Sequence, residues 1–62
     1  MAVVIQSRAP NEESWHLEGS KRNHFKAYLT ALAKARVTGR IYRLVDLDGA
    51  VLEQIEKHPS RG

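Results

Sequence analysis

Sixty-two residues without a single cysteine make one small domain, with no disulfide and no thiolate metal site. Ten Lys and Arg against seven Asp and Glu leave a net charge of +3, and no apolar run approaches the ~20 residues of a membrane-spanning helix. The N-terminus lacks the basic and long apolar regions of a secretory leader, so a cytoplasmic location without membrane contact is expected.

Ala2 to Arg8 is short and β-branched and reads as a strand, with Val3 and Ile5 on one face and Val4 and Gln6 on the other. Pro10 lacks an N–H and Asn11 favours turns, so the strand ends there. In Ser14 to Glu18, Trp15 and Leu17 alternate with His16 and Glu18. That pattern suits a second strand returning antiparallel to the first, with Trp15 in the core. Gly19 and Ser20 break the alternation.

A helix follows, starting at Ser20 or Asn23, either of which caps the exposed N–H groups. Phe25, Tyr28, Leu29, Leu32 and Ala35 recur at helical spacing and form the expected apolar stripe. Lys26, Thr30 and Lys34 lie opposite. Ala27, Ala31 and Ala33 raise helix propensity along the flanks. Gly39 suits a left-handed position just past the end.

Arg40 to Glu56 reads as a hairpin. Asp46-Leu47-Asp48-Gly49 fits a type I turn followed by a left-handed glycine. A three-residue loop sets Val45 opposite Val51, Arg43 opposite Glu53, Ile41 opposite Ile55 and Arg40 opposite Glu56. Every such pair is apolar with apolar or cation with anion. A two-residue turn pairs Leu44 with Glu53, a poorer match. Lys57 to Gly62 reads as a polar tail after a single domain over residues 1–56.

The expected architecture is α+β: a small antiparallel sheet in ββαββ order with one amphipathic helix on one face. The expected core is Val3, Ile5, Trp15, Leu17, Phe25, Leu29, Leu32, Ile41 or Leu44, Val45, Val51 and Ile55. On that reading Trp15→Ala or Leu29→Ala costs ~2–5 kcal/mol.

Charge is distributed unevenly. Gly19 to Val45 holds seven Lys and Arg and no carboxylate. If Arg40 and Arg43 are matched across the hairpin, the unmatched cations sit on the helix. The candidate contacts to nucleic-acid phosphates or another acidic surface are then Lys21, Arg22, Asn23, His24, Lys26, Thr30 and Lys34. The other functional reading is a protein-interaction module docking through Tyr42, Leu44, Leu52 and Gln54 on one hairpin face, with homodimerisation as one form.

An enzyme is not expected. The glycines are dispersed, so no phosphate-cradling loop exists, and no nucleophile, base and orienter converge in a pattern. His16, His24 and His58 match no metal-ligand spacing and read as exposed polar groups. Asp46-Leu47-Asp48-Gly49 lacks the further oxygen ligands of a calcium loop. No cofactor is expected.

Overall fold

The computed structural model describes residues 2–56, and the polar tail and His58 lie outside them. Four strands and one helix follow one another as β1 (Val3–Arg8), β2 (His16–Lys21), α1 (His24–Thr38), β3 (Ile41–Val45) and β4 (Val51–Ile55). The strands form one antiparallel sheet in the order β2-β1-β3-β4, with α1 on one face. This is the α+β architecture the sequence pattern implies.

The ends of α1 are set by local chemistry. Asn23 Oδ1 accepts from the backbone N–H groups of Phe25 (2.8 Å) and Lys26 (3.1 Å). A cap of this kind contributes ~1 kcal/mol. At the other end Gly39 is left-handed (φ 75°) and its N–H donates to the Ala35 carbonyl. The chain then turns back to β3, which lies beside β1 in the centre of the sheet.

The helix meets the sheet through Ala27, Ala31 and Ala35, all buried. Opposite them stand Val3 and Ile5 of β1, Tyr42 and Leu44 of β3, and Ile55 of β4. Small side chains on the helix thus face large ones on the sheet, the volume matching that close packing requires. Tyr28 and Leu32 pack at the margin. Phe25 and Leu29, expected in the core, are 66% and 46% exposed. The apolar arc of α1 runs from Ala27 round to Leu29, and its alanine edge is the buried part. The helix is therefore rolled by roughly a third of a turn from the orientation its bulkiest side chains suggest.

Two further expectations are overturned. β2 starts later than predicted and runs through Gly19 and Ser20. Its register with β1 slips between Ile5 and Gln6, leaving Glu18 as an extra residue. Gly19 has φ 156° beside this bulge, a conformation that side chains rarely adopt, so the residue that breaks the sequence alternation is what lets the strand continue. Leu17 consequently pairs with Gln6 on the helix-free face, and Trp15 lies on that face as well rather than in the core.

In the hairpin the turn forms as expected. Gly49 N–H donates to the Asp46 carbonyl, and Asp46 Oδ1 accepts from Asp48 and Ala50. Val45 pairs with Val51, but a bulge follows at Leu52, and the pairs become Leu44 with Glu53, Arg43 with Gln54 and Tyr42 with Ile55. The cross-strand ion pairs of Arg43 with Glu53 and Arg40 with Glu56 do not form. Burial of Tyr42, Leu44 and Ile55 on one face outweighs two exposed ion pairs, each worth at most ~1 kcal/mol.

Candidate nucleic-acid interface

The bulge in β2 decides the electrostatics of one end of the sheet. It turns Glu18 toward the helix side, where its carboxylate accepts from the fully buried Ser7 hydroxyl at 2.6 Å. Arg40 Nε donates to the same Ser7 oxygen at 3.0 Å, and Arg40 Nη2 lies 3.6 Å from Glu12 Oε1. Lys34 Nζ reaches Glu18 Oε1 at 3.8 Å. The Ala9 N–H, donating at 2.9 Å, and His16 beside it hold the Glu12 carboxyl below the usual carboxylate range. Arg40 and Lys34 are thus engaged within the fold. Every buried side-chain polar atom among the described residues has a partner.

The opposite end of the sheet is different. Lys21 stands across from Val3 at the end of β2, Arg22 follows it, and His24 and Lys26 occupy the first turn of α1. All four are exposed, and none has an ion-pair partner among the described residues. Arg22 and His24 line a shallow groove with Ala2, Val3, Asp46 and Leu52. Asp46 is the one carboxylate of that lining, and its Oδ1 is already taken up by the hairpin turn. No acidic residue occupies the first turn of α1, so the positive end of the helix dipole adds to these cations instead of being cancelled.

The seven candidate contacts therefore separate. Lys21, Arg22, His24 and Lys26 come together. Asn23 is beside them, but its side-chain oxygen is the helix cap, and it occupies the amides of Phe25 and Lys26 that an anion would otherwise use. Thr30 is half-buried one turn along. Lys34 lies two turns from Lys26, ~12 Å along the axis, and leans to Glu18.

The proposed protein-docking set separates as well. Tyr42 and Leu44 are buried beneath α1 and cannot meet a partner. Gln54 points to the other side of the sheet, paired in register with Arg43, and Leu52 sits at the bulge. These four residues do not share a surface.

Sequence reasoning missed a cluster on the helix-free face. The Arg43 guanidinium carbon lies 4.2 Å from the Trp15 ring centroid and that of Arg8 lies 5.1 Å from it. Arg43 Nε donates to Gln6 Oε1 at 2.7 Å. The three residues come from β1, β3 and the loop before β2, and no local spacing links them. Only the adjacency of β1 and β3 brings Arg43 to Arg8 and Trp15.

Among the described residues, no group of three or more His, Cys, Asp or Glu could hold a metal ion, and no helix is long and apolar enough to cross a membrane. Comparison with family models, with curated proteins and with solved structures finds no match to this chain.

Proposed function

We propose that this chain is a small non-enzymatic binding module that contacts nucleic-acid phosphates through the cations at the end of β2 and the first turn of α1. The observation that supports the reading is the contrast between two sets of cations. Lys34 and Arg40 reach carboxylates and Arg43 Nε donates to Gln6, whereas Lys21, Arg22 and Lys26 are exposed together without carboxylate partners among the described residues. Concentrated like charge next to a positive helix end is costly in the free protein and is relieved by an anionic partner.

Three phosphate contacts give a log–log salt slope of about −2 to −3. Fluorescence anisotropy with labelled mixed-sequence DNA and RNA at low and moderate salt should show this dependence. The triple change Lys21→Glu, Arg22→Glu and Lys26→Glu should weaken binding by at least about tenfold, while Lys34→Glu should matter far less. Absence of binding to either nucleic acid at low salt would sink the reading.

A second reading, self-association, draws on the outer stripe of α1. Phe25 lines a shallow groove with Tyr28 and with Glu53 of β4, and Leu29, one turn further along α1, is exposed as well. A second copy covering this stripe would enlarge the small alanine-based core. Sedimentation across a wide concentration range should then show a dimer that Phe25→Glu disperses, and a monomer at every concentration would dismiss it.

A further inference from the structure

The side of the sheet that α1 leaves open carries the only tryptophan of the chain, held by two arginines. The hydrogen bonds around it fix the orientation of both guanidinium groups. Arg8 Nη1 donates to the carbonyls of Ala9, Pro10 and Glu12, with the shortest bond, 2.8 Å, to Glu12. Arg43 uses Nε for Gln6. No hydrogen bond or ion pair among the described residues takes the terminal nitrogens of Arg43 or Nη2 of Arg8. Gln54, paired in register with Arg43, adds an amide at the β4 side. Two carboxylates line the same shallow groove: Glu12, which accepts from the Ala9 N–H and meets His16 and Arg40, and Glu13; beyond it Glu56 accepts from Gln54 at 3.0 Å.

This arrangement has a specific chemical use. A guanidinium plane stacked on an indole presents a flat π surface with cationic N–H edges. An unpaired base stacks on such a surface, and an adjoining phosphate accepts from the free N–H groups. A duplex hides the faces of its bases, so an open sheet gains nothing of this kind from it. We propose that the helix-free face of the sheet binds single-stranded nucleic acid, with Arg43 and Trp15 supporting a base and Arg8 holding the neighbouring phosphate. This rests on the nucleic-acid reading above and adds where the bases lie. Arg8 ends β1, and Lys21 stands opposite Val3 at its other end, ~17 Å away along the strand. Lys21, the register partner of the core residue Val3, is on the helix side of the sheet, so a strand that meets both clusters must pass round the exposed β2 edge.

Because Trp15 is the sole tryptophan, its emission reports this face directly. Oligo-dT and oligo-U, and a hairpin duplex of equal nucleotide count, are titrated at low salt while anisotropy and Trp15 emission are read together. The expected result is single-strand preference with emission changing in step with anisotropy. Arg43→Ala should weaken single-strand binding by about tenfold. Arg43→Lys keeps the charge and loses the plane, so it should weaken binding as well, and circular dichroism checks that both variants remain folded. If no oligonucleotide binds, both readings fall. If oligonucleotides bind while Trp15 emission stays constant, if the duplex binds as tightly, or if folded Arg43→Lys binds like the parent, the sheet platform is overturned and the basic end of α1 stands alone.

Discussion

Leu44→Ala should cost about 2–5 kcal/mol, most of the roughly 3–9 kcal/mol a chain of this length possesses. Leu44 has no solvent exposure. It lies on a central strand, with Ile5 beside it on β1 and the alanine ridge of α1 above. Hydrogen bonding to β1 on one side and β4 on the other holds its backbone in place, so the space left by the deleted carbons cannot close by local collapse. Urea unfolding followed by far-UV circular dichroism measures this as a lower midpoint at unchanged slope. A loss below about 1 kcal/mol would mean that α1 does not cover this face. The measurement also bears on the partner question, because a Leu44 buried under the helix is withdrawn from any docking role.

Ala31→Leu and Leu29→Ala should give opposite outcomes to those the sequence suggests. Ala31 is fully buried against the sheet, between Ala27 and Ala35 on the same face of α1. Three added carbons must displace either the helix or Ile5 and Leu44, at a cost of about 1–3 kcal/mol. A domain this small then melts roughly 4–8 °C lower for each kcal/mol lost. Leu29 is 46% exposed, and its truncation should cost less than about 1 kcal/mol. Thermal melts of the two variants decide between the orientations of α1. If Leu29→Ala unfolds the domain and Ala31→Leu does not, the helix is rolled the other way.

Both predictions turn on a feature that periodicity cannot resolve. α1 has a broad apolar arc in which Phe25, Tyr28, Leu29 and Leu32 carry most of the hydrophobic area and Ala27, Ala31 and Ala35 carry little. Weighting by hydrophobicity centres the buried face on the former. Packing centres it on the latter, because β1, β3 and β4 already supply Ile5, Tyr42, Leu44 and Ile55, and only small side chains fit against them. The same kind of competition misplaced the hairpin pairing. Charge matching favoured Arg43 with Glu53, but the bulge at Leu52 keeps Tyr42, Leu44 and Ile55 on one face, and the burial of three large side chains is the stronger effect. The candidate site was legible only where it is contiguous. Lys21, Arg22, His24 and Lys26 are close in the chain and remain close in space. Arg8, Trp15 and Arg43 are scattered in the chain and meet only through strand adjacency.

The sequence by itself determined the element order, the cap of α1 at Gly39 and the turn at Asp46 to Gly49, and it narrowed the N-cap to Ser20 or Asn23, since each depends on hydrogen bonds within a few residues. It also determined the uneven charge. The tertiary structure decided which face of each element is covered, that β2 bulges at Glu18 beside Gly19, and which cations are engaged. Those outcomes depend on volume matching between helix and sheet and on strand neighbours far apart in the chain. That is how the basic stretch divided into Lys34, Arg40 and Arg43, which have partners within the fold, the exposed group of Lys21, Arg22 and Lys26, and Arg36, exposed alone in the last turn of α1.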